Sequence, residues 1–226
     1  MCGRYTIVTD AKALYDAFQV EAELGGAPLA RYNIAPATDQ LVILDEGGGR
    51  AARWLHWGLI PHWAKDRAIG YKTINARAES VAAKPAFRTA FRQRRCLVPA
   101  TGFYEWQAQP GGKQPYLIHL KGGALFAFAG LWESWNGPQG ELRSFSVITT
   151  AANALMSRIH ERMPVIVARE NYARWLDPAL QDPAAIQSLI ASYPAAEMQA
   201  LPVGRAINNA RNQGRELIEP AGAPVQ

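Results

Sequence analysis

Residues 96–150 read CLVPATGFYEWQAQPGGKQPYLIHLKGGALFAFAGLWESWNGPQGELRSFSVITT. Branched and aromatic residues come in short runs, and the runs are separated by turn chemistry: Gln109-Pro110-Gly111-Gly112, Gly122-Gly123 and Asn136-Gly137-Pro138. This punctuation predicts strands over 96–99, 102–107, 116–120, 125–130 and 144–149. Outward from this block the same reading gives strands over 40–44, 53–57 and 164–167, with turns at Gly25-Gly26-Ala27-Pro28 and Gly47-Gly48-Gly49. Residues 10–19 read as an amphipathic helix, with Leu14, Tyr15 and Phe18 on one face and Thr9 or Asp10 as cap. Further helices are expected over 76–83, 86–93, 152–159, 169–176 and 183–191, and residues 220–226 read as a frayed end. Many strands on short turns with scattered helices predict an antiparallel-rich α+β domain. No βαβ rhythm, GxGxxG or P-loop is present, which disfavours a Rossmann or NTPase core.

The chain has 226 residues, 49% of them hydrophobic and 19% charged, which is a globular composition and one domain by default. No apolar run reaches the roughly 20 residues of a membrane-spanning helix. The start, Met1-Cys2-Gly3-Arg4-Tyr5, is not read as a signal peptide. Two cysteines make no disulfide framework, so a reducing cytosol is the expected compartment. The net charge is +5, which permits a polyanion partner. Five cations and no acid lie between Lys84 and Arg95, and Arg205, Arg211 and Arg215 form a second acid-free cluster. Each cluster is either a solvated face or a phosphate contact, and the preponderance of arginine favours phosphate.

Cys2 is the most informative residue. Removal of Met1 leaves a 1,2-aminothiol, with an amine of pKa about 7.7–8.0 beside a thiol of pKa about 8.5. The thiolate can attack an amide with the amine as base, or the amine can condense with an aldehyde and the thiol close a thiazolidine. The bland alternative is a small hydrophobe at the start of an edge strand. Gly3 allows close backbone approach to a ligand, and Arg4 is expected to lower the thiol pKa. Cys96, by contrast, reads as a buried strand residue.

Other residues carry paired readings. Asn75 is either the N-cap of the 76–83 helix or a ligand-orienting amide, with Arg77 on a phosphate. Glu105 sits in an aromatic strand, where alternation sets Phe103 and Glu105 on one face and Tyr104 and Trp106 on the other. It is a rim ion pair or a proton-transfer group with a raised pKa. His160, between Arg158 and Arg162, is a satisfied structural ring or an acid–base group on a loop. The four histidines lack zinc-ligand spacing, so no metal and no cofactor is expected. Trp54 and Trp57 read as core, and Trp63 as a turn residue able to stack a base.

Taken in order, several motifs resemble one family: Met1-Cys2-Gly3-Arg4-Tyr5, Arg31-Tyr32-Asn33-Ile34-Ala35-Pro36, Trp57-Gly58-Leu59-Ile60-Pro61, Ile74-Asn75-Ala76-Arg77-Ala78-Glu79, Gly102-Phe103-Tyr104-Glu105-Trp106, Thr149-Thr150-Ala151-Ala152-Asn153, His160-Glu161-Arg162-Met163-Pro164 and Asn208-Asn209-Ala210-Arg211-Asn212-Gln213-Gly214. The chain is similar to the SOS response-associated peptidase (SRAP) family from Cys2 to about Ile218. The resemblance implies a single compact domain with a mixed, barrel-like β core and peripheral helices. It implies binding of single-stranded DNA and covalent trapping of abasic sites through Cys2, with a monomer expected and no membrane partner. Asn75, Glu105 and His160 match active-site positions. Arg4, Asn33, Pro36, Arg77, Lys84, Thr149 and Arg162 would hold the strand. Trp63 lies near the family's aromatic wedge, a doubled tryptophan in some members, and is followed here by Ala64. The rival reading is an N-terminal-nucleophile amidohydrolase of the glutamine amidotransferase kind, which shares the Met-Cys-Gly start.

Overall fold

A computed structural model describes residues 2–20, 29–47 and 49–225. Met1, the expected turn at Gly25-Gly26-Ala27-Pro28, Gly48 of the next turn, and Gln226 lie outside the described residues.

The strands, in order, are β1 (Tyr5–Thr9), β2 (Leu29–Ile34), β3 (Asp39–Asp45), β4 (Arg50–Trp57), β5 (Asn75–Arg77), β6 (Arg95–Ala100), β7 (Gly102–Gln109), β8 (Gly112–Leu120), β9 (Phe126–Gly137), β10 (Gly140–Ala151), β11 (Arg162–Pro164), β12 (Ile166–Val167) and β13 (Met198–Pro202). The helices are short: α1 (Ala11–Phe18), α2 (Arg88–Gln93), α3 (Tyr172–Leu176) and α4 (Pro183–Gln187). Strands β3, β4, β10, β9 and β6 pair in a closed ring, the last returning to β3. The β4–β10 pairing is parallel and the others are antiparallel, so this is a mixed five-stranded barrel without free edges. A second, wholly antiparallel sheet runs β13-β8-β7-β1-β2. Rings from both lie in one core: Tyr5 of the sheet meets Trp57 and Phe128 of the barrel at centroid distances of 5.3 and 5.7 Å, and Phe103 meets Phe128 at 6.0 Å. The chain is a single compact α+β domain, as expected.

The long strand β10 has a different neighbour at each end. Residues 140–147 pair with β9, whereas Thr149, Thr150 and Ala151 pair with β11. On the other edge Ser144 and Phe145 pair with β4, and Val147 to Thr149 pair in parallel with β5.

The expected strands all form, most of them longer than read, while 164–167 splits into β11 and β12 around Val165. Strands β1, β2, β5 and β13 were not read from the sequence. The helix expected over 76–83 does not form. Residues 75–77 are drawn into the ladder of β10, and the next residues make turns, with Ser80 N donating to Arg77 O and Lys84 N to Ser80 O. Asn75 is therefore a strand residue and not a helix cap. The helix expected over 152–159 shrinks to one 3₁₀ turn, Met156–Arg158, capped by Asn153 Oδ1 accepting from Met156 N at 2.9 Å. Asp10, not Thr9, caps α1, accepting from Ala13 N at 2.7 Å. Trp54 is not core but 42% exposed, beneath the Arg31 guanidinium. The segment read as a frayed end is tied down through Val225, which donates to Ala200 O at 2.9 Å, while Pro220 bridges Val203.

Candidate active site at the chain terminus

The antiparallel register of β1 on β7 sets Tyr5 opposite Phe103, and Tyr104 N donates to Arg4 O at 2.9 Å. Cys2, just ahead of this pairing, lies near enough to Glu105 for the carboxylate charge to act on its thiol. Both faces of β7 are covered, as alternation predicted: Phe103 joins the main core, and Tyr104 lies in a smaller cluster with Val203, Ile207 and Leu217, against which Trp106 packs. Glu105 is left 3% exposed. Burial pushes its carboxyl above the ordinary carboxylate range, with the charge of His160 acting the other way. It is a buried acid and not a rim residue. The Cys2 side chain is fully buried, and burial, reinforced by the Glu105 charge, drives its thiol pKa up. This corrects the expected lowering by Arg4. The Arg4 guanidinium instead donates to Asn33 Oδ1 at 2.6 Å and to Ile207 O at 2.9 Å, and lies over the Trp106 ring.

Strand β10 gathers the second group. Asn75 pairs with Val147, Arg77 with Thr149, and Arg162 with Ala151 from the opposite edge. Asn75 Nδ2 reaches Val147 O at 3.5 Å, while its Oδ1 is buried and meets no donor among the described residues. Arg77 is exposed. Arg162 is held by a two-pronged pair to Glu79, at 2.6 and 3.0 Å, and by Thr149 O at 2.7 Å. That hydrogen bond to Arg162 holds the Glu79 carboxyl below its usual range. Arg162 N donates to His160 Nδ1 at 3.0 Å. An Nδ1 that accepts leaves the proton of the neutral ring on Nε2. The loop before His160 is tied to β7, since Gln107 Nε2 donates to Arg158 O at 2.6 Å.

Glu105 links the two groups, since its charge acts on the Cys2 thiol and that of His160 acts on it. The remaining expected contacts are placed less directly. Asn33 is buried, and its amide donates to Asn209 O and Asn212 O, each at 3.0 Å, so it anchors the 207–213 loop and does not reach solvent. Thr149 is also fully buried. Pro36 precedes Ala37, which has a left-handed φ of +62° and whose N donates to Trp57 O. Trp63 is 51% exposed at a turn fixed by Trp135 Nε1 donating to Ala64 O at 2.7 Å and by His62 against the buried Glu133. Lys84 is exposed on the turn before α2. In the basic run Arg95 is buried, its guanidinium on the carbonyls of Phe91, Arg92, Trp175 and Asp177, with its pKa lowered to about 10 by burial. Arg94 pairs with Glu133 at 2.8 Å. These two cations are structural.

A model of the SOS response associated peptidase (SRAP) family matches residues 1–210. The chain belongs to this family. It is 45% identical over 222 residues, 97% of this chain and 99% of the relative, to the abasic site processing protein YoqW of Bacillus subtilis. It is 31% identical over 219 residues, 83% of this chain and 65% of the relative, to the abasic site processing protein HMCES of Xenopus tropicalis. A crystal structure of a protein from Bacteroides thetaiotaomicron superposes with a TM-score of 0.88 at 26% identity, covering 97% of this chain and all of that one. Sequence reasoning missed the part of Glu79, which stands in a quoted motif, because nothing local links it to Arg162, 83 residues away.

Proposed function

We propose that this protein processes abasic sites in DNA, as its relatives are named for, by trapping them in single strands through a mature N-terminal Cys2. The observation that carries the reading is the pairing of β1 with β7, which leaves Cys2 buried beside the buried Glu105.

The order of events follows from the two nucleophiles. Burial keeps the thiol protonated, so the amine exposed by loss of Met1 attacks first. An abasic sugar opens when its C1′–O4′ bond breaks, the O1′ proton leaves, and O4′ takes a proton. His160, with its neutral-ring proton on Nε2, is the donor to O4′. The amine adds to the C1′ aldehyde, and loss of one water gives an imine. Glu105, its carboxyl raised by burial, takes the amine proton and returns it to the departing water. The Cys2 sulfur then adds to the imine carbon and its proton passes to the nitrogen, closing a thiazolidine. No oxidant or reductant enters. Asn75 Oδ1, a buried acceptor, orients the Cys2 N–H or a sugar hydroxyl. Arg77 and Lys84 are the exposed cations for phosphate, and Trp63 and Pro36 the surfaces for a base. A single strand is favoured because an abasic sugar within a duplex is reached only by distortion.

The test is a fluorescent single-stranded oligonucleotide carrying one abasic site, mixed with protein lacking Met1 and run on a denaturing gel. A heat-stable shifted band is expected from the single strand, and much less from a duplex. Cys2→Ala should abolish the band while non-covalent binding persists. A Cys2→Ser protein whose adduct is as durable as wild type would overturn the thiazolidine.

A further inference from the structure

We propose that Glu79 is a positioning residue for His160, acting through Arg162; the inference rests on His160 being the acid of ring opening. Three contacts form the chain. The Glu79 carboxylate holds both terminal nitrogens of Arg162, at 2.6 and 3.0 Å. The same guanidinium is fastened to Thr149 O at 2.7 Å. The Arg162 backbone straddles the imidazole, with N donating to His160 Nδ1 at 3.0 Å and O lying 3.1 Å from the same atom.

That last pair is what makes position matter. If Arg162 N supplies the hydrogen bond, Nδ1 accepts and the neutral ring carries its proton on Nε2. If a small backbone shift lets Arg162 O, already 3.1 Å away, take over as the partner, Nδ1 donates and Nε2 becomes a lone pair, which cannot protonate a sugar oxygen. The side chain of Arg162 is only 12% exposed, and a cation so enclosed needs its counter-charge. Without Glu79 it is drawn toward solvent and carries its backbone with it. Glu79 also stands four residues beyond Asn75 on the chain leaving β5. One carboxylate therefore ties the Asn75 strand to the His160 loop.

A competing use of the same geometry is that Glu79 occupies a fork meant for DNA phosphate. The two uses predict different results. As a positioning residue, Glu79→Ala slows adduct formation by about ten- to a hundredfold, part of the roughly 10²–10⁴ a general acid supplies. Affinity for an unmodified single strand is kept or tightened, because one negative charge is removed. Glu79→Asp, which keeps the charge on a shorter arm, recovers much of the rate. Nitrogen-15 NMR of the imidazole gives a readout independent of activity: wild type shows the neutral ring protonated on Nε2, and Glu79→Ala shows a mixture of tautomers. Wild-type rate in Glu79→Ala, or a slowed variant whose His160 tautomer is unchanged, overturns the inference. Tighter DNA binding with an undiminished rate assigns the fork to phosphate and overturns it too. Wild-type protein that forms no adduct fails the trapping reading instead, and the tautomer in Glu79→Ala then decides the Glu79 contact alone.

Discussion

Two glutamates near the site are shifted in opposite directions, and the physical causes separate their roles. Glu105 is raised by burial; Glu79 is lowered by its bond to Arg162. The consequences for stability have opposite signs. A carboxyl raised in the folded state binds more protons folded than unfolded, so stability falls as pH rises from its unfolded toward its folded pKa, and the cost is full only above the folded pKa. Glu79 contributes stability above its unfolded pKa and loses it as pH falls through its folded pKa. Glu105→Gln should therefore melt higher than wild type at pH 7.5, by about 2–4 °C for each kcal/mol recovered in a chain of this size. That gain should shrink as pH falls into the acid range, while adduct formation is slowed at every pH. Thermal melts across pH beside a timed gel check both halves. A Glu105→Gln protein that melts lower at pH 7.5 would show that the carboxylate stabilises the fold.

Elements are held in register by a few close contacts. Between β6 and β9, a side chain at Gly130 would place its Cβ 2.5 Å from Cys96 Sγ and 2.9 Å from Val98 Cγ2. Gly130→Ala is expected to destabilise by about 1–3 kcal/mol through overpacking, measured by urea unfolding. Adding Cys96→Ala should restore part of that, since the nearer clash is with sulfur and not backbone. The turn bearing Trp63 begins at Gly58, whose φ is +138° and whose added Cβ would lie 2.8 Å from Gly70 O. The 207–213 loop is held by the Asn33 amide together with Arg4 on Ile207 O, Trp106 Nε1 on Asn208 Oδ1 and Gln213 Nε2 on Asn33 O. Asn33→Ala removes its bonds to Asn209 and Asn212 and leaves the Arg4 guanidinium without the Asn33 acceptor. A stability loss of about 2–3 kcal/mol is expected from these broken buried bonds. Weaker single-strand binding should accompany it although Asn33 itself lies inside. Titration of a labelled oligonucleotide against the folded variant measures this, and unchanged affinity would separate the loop from the DNA face.

Across the whole molecule, on the proposed function, a net charge of +5 with Arg77 and Lys84 exposed should make single-strand binding salt-dependent. The slope of log K against log salt should be about −0.7 for each phosphate neutralised, and Arg77→Ala should reduce it by about 0.7. At this scale the reach of the sequence is also visible. Alternation and turn residues in 96–150 predicted five of the barrel and sheet strands, because a strand that buries one face repeats its apolar residues locally. The placement of Glu105 in an aromatic strand, with Phe103 on its face and Tyr104 and Trp106 on the other, was legible for the same reason; its burial was not, because distant segments cover it. β5 was not, since an alanine-rich stretch is extended only because β10 offers it a parallel ladder. Nor was the upward shift of the Cys2 thiol, because desolvation by a core assembled from two sheets outweighs the cation two residues along. The chain by itself determined the residue types of the candidate site and most of the strands around it. The closed ring of β3, β4, β10, β9 and β6, the apposition of Cys2 and Glu105, and the line from Glu79 through Arg162 to His160 were decided by pairings between distant segments. Such pairings depend on which strand edges meet, and no local pattern encodes that.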